Sequence, residues 1–202
     1  MTKKGEAGIG TLILFIAMIL VAAVAAGVLI QTSGSLQSKA LYTGSRAKTQ
    51  VSTQLNVIYM WGENGSITGA QGREINRTYV KVKLAAGSDN VKLNDTLVQV
   101  DTPSNRVNLR YDNSCDSDAE AEVDQNKDSN YCGKYLVGGP SNGGDEGYIQ
   151  RGDIFQMAFA LPESLQEGED ITVSIIPKVG HTTKVETKTP DVMLNTRVQL
   201  YP

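Results

Sequence analysis

Few side chains in this sequence could act as nucleophile, base or metal ligand. Nucleophilic chemistry needs a base within reach, and the single histidine, His181, lies in KVGHTTK, a stretch that reads as an exposed turn between two strand patterns. One histidine and two cysteines, Cys115 and Cys132, give a zinc-type site almost no ligands. Seven acids between Asp112 and Asp128 crowd into DNSCDSDAEAEVDQNKDSNYCGK against a lone Lys127, which reads as a solvated loop bracketed by cysteines. Asp124, Asn126 and Asp128 imitate the first ligands of a calcium loop. Ser129 stands where that loop needs glycine, however, and Tyr135 where it needs a bidentate glutamate. The glycine-rich LVGGPSNGGDEGY, residues 136–148, is followed by no GKS or GKT and reads as a surface loop rather than a phosphate cradle. No catalytic residue, metal or cofactor is assigned. Asparagine acceptor triplets occur at Asn64 (NGS), Asn76 (NRT) and Asn94 (NDT).

The elements that carry these groups follow from charge and periodicity. A net charge of -3 and a pI near 5.2, with no basic patch past the first residues, exclude a nucleic acid as the main partner. From Ile9 to Ile30 Thr11 is the only polar side chain. Twenty-two residues of helix span roughly 33 Å, the thickness of a bilayer's hydrocarbon core. Ala23-Val24-Ala25 offers a formal signal-peptide cleavage site, but apolar residues resume at Val28, Leu29 and Ile30, so the segment reads as retained. It is apolar on every face and needs neighbours all round, which lipid or other helices would supply equally well. Leu36, Ala40, Gly44, Ala47, Val51, Leu55 and Ile58 then recur at steps of three and four, predicting a helix that continues to the end of the first sixty residues.

WGENGSITGAQG, with four glycines in twelve residues, reads as the linker that ends it. Beyond it, Val80/Val82/Leu84, Val98/Val100, Val107/Leu109/Tyr111, Phe155/Met157/Phe159/Leu161, Ile171/Val173/Ile175 and Val198/Leu200 alternate with polar residues. Seven or eight half-buried antiparallel strands imply a β-sandwich of immunoglobulin-like type. The fold class is thus α+β, with a long helix over residues 6–61, a linker over 62–73 and the sandwich over 74–202.

KKG followed by EAGIGTLILFIAMILVAAVAAGVLIQTSGSLQSKALYTG resembles the amino terminus of the archaellins, the archaeal flagellins, over about forty residues. That resemblance implies a leader, residues 1–5, removed by a prepilin-type peptidase that reads Lys3, Lys4 and Gly5 and leaves Glu6 as the first mature residue. Glu6 departs from the small or uncharged residue expected there, which bears on cleavage efficiency. The resemblance further implies that Ile9, Leu12, Ile13, Phe15, Ile16, Ile19, Leu20, Val24, Val28 and Leu29 leave the membrane for the core of a homo-polymeric filament used in swimming. It also implies the same sandwich and an external location. The partners implied are the peptidase, an assembly ATPase and a membrane platform protein, with the membrane a partner of the precursor only. Exported archaellins are typically glycosylated, so Asn64, Asn76 and Asn94 are candidate acceptors. An external filament is also an oxidising place, where Cys115 and Cys132 are expected to form a disulfide closing a loop of about 18 residues, worth roughly 3 kcal/mol. An adhesive pilin-like subunit and a membrane-anchored sandwich that binds ligands are the alternative readings.

Overall fold

The computed structural model describes residues 3–63, 74–115, 129–139, 147–193 and 195–202, with side chains from residue 8 onward. The chain divides into two units, Met1–Lys48 and Thr49–Pro202. The first is helix α1, which spans Lys3–Ser52 and so reaches four residues into the second unit. A proline-free, alanine- and leucine-rich sequence sustains these 50 residues, about 75 Å of helix.

The helix stops at Ser52, nine residues before the boundary at 61 that the periodicity suggests. Leu55 and Ile58 fall in register with the helical stripe, yet they belong to strand β1, Leu55–Glu63. LNVIYMW is rich in β-branched and aromatic residues, and its strand form buries Leu55 and Met60 completely in the core. The stop is enforced from outside the helix. Thr53 N–H makes a last helical bond to Thr49 O at 3.0 Å, and Thr53 O then accepts His181 N–H at 2.9 Å. Gln54 N–H donates to Ser88 Oγ at 3.0 Å, while the Ser88 hydroxyl lies 3.2 and 3.1 Å from the carbonyls of Ser52 and Gln54. Carbonyls that a helix end leaves orphaned are thus taken up by two loops of the β-unit. Gly180, at φ 119°, backs against this turn; a Cβ there would fall 2.4 Å from Thr53 O.

The remaining strands are β2 (Ile75–Leu84), β3 (Val91–Lys92), β4 (Thr96–Asp101), β5 (Arg106–Tyr111), β6 (Asn130–Val137), β7 (Tyr148–Ile149), β8 (Ile154–Leu165), β9 (Asp170–Pro177), β10 (Thr183–Lys188) and β11 (Arg197–Tyr201). Among the described residues, nine of them form one sheet in the order β10-β9-β4-β5-β6-β8-β2-β1-β11, and β3 pairs with β7. The two layers share a strand: β6 begins parallel to β5, with Tyr111 opposite Tyr131, and continues antiparallel to β8 from Cys132. A strand that changes partners in mid-course makes a corner, and here it folds one sheet over into a sandwich. Between the layers lie Val80, Val82, Val98, Leu109, Phe155 and Val173, all 1% exposed or less. Tyr131 crosses this core with its hydroxyl donating toward the carbonyls of Leu93 and Thr96, and burial pushes that hydroxyl's pKa well above its ordinary value.

Alternation correctly marks β2, β4, β5, β8, β9 and β11. It misses β1, β6 and β10, the last because Val185 is the only apolar residue of TKVETK and its inward neighbours are the threonines Thr183 and Thr187, which donate to the carbonyls of Leu55 and Leu200. The 62–73 linker begins late, since β1 runs through Glu63; residues 64–73 lie outside the described residues.

Ser88 is fully buried and tied to three backbone groups at the helix end. Replacing it with alanine is expected to lower stability by roughly 1–3 kcal/mol through unpaired buried backbone groups, measured by denaturant unfolding.

Candidate functional site: the exposed apolar helix

The described residues contain no assembly of catalytic groups, and their most unusual chemistry is apolar. Between residues 9 and 30 every large aliphatic or aromatic side chain of α1 is at least half exposed, Ile16 being lowest at 50%. There are fourteen such side chains, each favouring burial by roughly 1.5–3 kcal/mol, or on the order of 20–40 kcal/mol together. Ile9, Leu12, Ile13, Phe15, Ile16, Ile19, Leu20, Val24, Val28 and Leu29 are all among them, distributed round the whole circumference. By length and composition the helix could cross a membrane.

Even its polar groups are arranged for burial. Thr11 Oγ1 donates to Gly8 O at 2.9 Å, and Thr32 Oγ1 lies 2.9 and 3.1 Å from the carbonyls of Val28 and Leu29. Hydroxyls folded back on their own helix demand nothing of a neighbour. Gly8, Gly10 and Gly27 have nothing within 4 Å of a notional Cβ, leaving notches into which another backbone can pack closely. Lys3, Lys4, Gly5 and Glu6 lie in the first turns of the same helix, and their side chains are outside the described residues.

The other candidate residues separate clearly. Cys115 and Cys132 are joined in a disulfide. It belongs to a second buried cluster, on the outer face of the sheet, that sequence periodicity does not reveal. One row crosses four strands, from Trp61 of β1 through Tyr79 and Ala158 to Cys132. Trp61 stacks on Tyr79 with centroids 5.1 Å apart, and Lys81 Nζ and Arg197 Cζ stand 5.0 and 5.3 Å from its ring centroid. Arg197 is held there by Glu63, its Nε 2.8 Å from Oε1. The signal that could have exposed this cluster is the aromatic, β-branched run IYMW, which the glycines after it mask.

His181 is exposed, and its contribution is the backbone bond to Thr53. Of the three acceptor triplets, Asn64 lies outside the described residues. Asn76 is half-buried within β2, its Oδ1 enclosed without a hydrogen-bond partner, and Thr78 is fully buried. Asn94 is exposed on a 3-10 turn, Leu93–Asp95, with Thr96 Oγ1 donating to Lys92 O at 2.9 Å beneath it. Asp124, Asn126 and Asp128 also lie outside the described residues, among which no three His, Cys, Asp or Glu side chains converge.

A family model described as archaeal-type flagellin matches residues 5–187, beginning at the glycine of the KKG–E junction. The chain belongs to the archaeal-type flagellin family. Flagellin A2 of Halobacterium salinarum is 30% identical over 94% of this chain and 90% of its own length. Flagellin B2 of Methanocaldococcus jannaschii is 32% identical over 96% and 93%. Among solved structures, the archaeal flagellum of Methanospirillum hungatei strain JF1 matches with a TM-score of 0.65 at 16% identity, covering 96% of this chain and 98% of that one. The crystal structure of the archaeal flagellin FlaB1 from Methanocaldococcus jannaschii matches with a TM-score of 0.61 at 16% identity, covering 73% and 96%. At that identity these two bear on the fold alone, one long apolar helix followed by a mostly antiparallel sheet, which the first matches over nearly the whole chain and the second over 73% of it.

Removing both cysteines of this flagellin as Cys115→Ser/Cys132→Ser is expected to lower the stability of the β-unit by roughly 3 kcal/mol. Denaturant unfolding followed by Trp61, the only tryptophan, reads the change at the cluster itself.

Proposed function

We propose that this chain is the structural subunit of an archaeal flagellar filament, a homo-polymer outside the cell whose core is a bundle of α1 helices. The observation that carries the reading is the completely uncovered apolar helix. A side-chain set of this size cannot remain in water, and copies of the same helix supply apolar neighbours on every face, as lipid does. Membership of the flagellin family selects the polymer over the permanent anchor. Contacts between helices of successive copies are head-to-tail and do not close, so they propagate along an axis. The β-unit, which has a core of its own, forms the outer surface.

In this reading the precursor sits in the membrane through residues 9–30, with Lys3 and Lys4 on the cytoplasmic side as positively charged flanks. A prepilin-type peptidase cuts after Gly5, leaving Glu6 as the new amino terminus. No nucleotide-binding motif occurs in the sequence, so energy for extraction and rotation comes from an assembly ATPase acting with a membrane platform protein. Asn94 is the acceptor triplet best presented for a glycan, because its side chain is exposed on a turn; the strand position and burial of Asn76 oppose modification after folding.

Two outcomes test this. Sheared surface filaments are expected to yield an amino-terminal sequence beginning at Glu6, whereas Gly5→Val leaves uncut precursor in the membrane fraction; normal filaments from that variant contradict the processing site. Asn94→Gln is expected to remove one glycan's mass from the filament protein by intact mass spectrometry, with Asn76→Gln leaving the mass of the sugar unchanged.

A further inference from the structure

Charge is divided unequally between the two units. Five cations and one acid leave Met1–Lys48 at +4, and the remaining fourteen cations and twenty-one acids put Thr49–Pro202 at -7. No acid occurs between Ala7 and Gly62, so the cations of the polar half of α1, Lys39, Arg46 and Lys48, have no acidic neighbour along the helix. Lys39 and Arg46 are seven residues apart and share one face, about 10 Å apart along the axis. Tyr42 lies between them with the Arg46 guanidinium 5.0 Å over its ring. That contact orders the arginine without neutralising it, and both Lys39 and Arg46 are exposed.

The β-unit holds its complement at one end. Residues 49–54 enter where β2 finishes, β9 finishes and β10 begins. At the other end, about 30 Å along the ten-residue strand β2, lie Glu74, Glu167, Glu169, Asp170 and Asp191. They are knit into one surface. Gln166 donates from Nε2 to Glu74 and from its backbone N–H to Glu169, each at 2.8 Å, while Met193 N–H donates to Glu167 at 3.0 Å. These bonds fix the carboxylates of Glu74, Glu167 and Glu169, and every donor in them is neutral. Lys188 stands opposite Asp170 in the β9–β10 ladder, and none of the five carboxylates forms an ion pair among the described residues.

We propose that the Lys39–Tyr42–Arg46 face of the helix docks onto this acidic end of a second copy's β-unit. The inference rests on the filament reading above and deepens it by naming a contact that sets how far one copy is displaced from the next. Apolar packing of the helices tolerates axial sliding, because one stretch of Leu, Ile and Val serves nearly as well as another. Charges at one height on the helix and at one end of the domain do not, since a slip of several ångströms separates them. Exposed ion pairs contribute little in salt, but pairs enclosed between copies are screened less.

The experiment compares three full-length chains expressed as the sole flagellin in a producing cell. Lys39→Glu/Arg46→Glu is expected to be processed and retained in the membrane, with loss of filaments from the sheared fraction. Asp170→Lys/Asp191→Lys, whose carboxylates cap no backbone group among the described residues, is expected to behave alike. The chain with all four substitutions restores complementarity in the opposite sense and is expected to regain filaments, a rescue that misfolding in either parent could not produce. Filaments at wild-type yield from either double variant overturn the inference, as does failure of the fourfold variant. Appearance of the helix variant in the soluble fraction also overturns it, because the cations would then serve anionic lipid. Absence of fibres from the unmodified chain would defeat the filament reading itself, which these outcomes leave separate.

Discussion

A helix with fourteen large apolar side chains at least half exposed cannot exist alone in water, and the rest of the molecule is arranged around that constraint. Within a soluble domain, a helix would bury one face and expose the other. Residues 9–30 have no polar face to expose, so no single packing partner inside one copy could satisfy them. The material that covers them must surround them, as sister helices in a filament do. Backbone-satisfied threonines and uncrowded glycines suit such close apolar surroundings, because they ask no hydrogen bond of a neighbour and leave it room.

A segment committed to other copies can contribute nothing to the stability of its own, and the β-unit is correspondingly self-sufficient. Its core lies between layers that share strand β6, and a second cluster built on the disulfide, Trp61 and Tyr79 buttresses the outer face. The connection between the two roles is short and fully bonded. Residues 52–54 change from helix to strand while Ser88, Ala85 and His181 occupy the backbone groups that the change exposes. With those groups paired, the helix ends at one defined residue and the strand enters the core in one register.

An exposed asparagine triplet and a concentration of charge mark the surface that remains. Asn94 stands on a turn with its threonine anchored below, and at the acidic end of the domain Glu74, Glu167 and Glu169 are oriented by backbone and glutamine donors. Neither feature is needed for the fold. Both lie outside the apolar core of the β-unit.

Much of this was legible in the residues. The unbroken apolar run and the period-two patterns of β2, β4, β5, β8, β9 and β11 are local signals, because the side chains of one element write their own spacing. The end of α1, strands β1, β6 and β10, the Trp61–Tyr79–Cys132 row and the difference between Asn76 and Asn94 were not. Leu55 and Ile58, three apart, fit helical spacing and not the period of two of a regular strand, and only the pairing of Leu55 with Leu84, the irregularity between Val57 and Tyr59, and Ser88 at the turn override that signal. The sequence by itself determined which segment must be covered and which alternations face inward, since both depend on residues close in the chain. Where the helix gives way, which acceptor is buried and which aromatic meets the disulfide were decided by tertiary structure, because each depends on contacts between residues tens of positions apart.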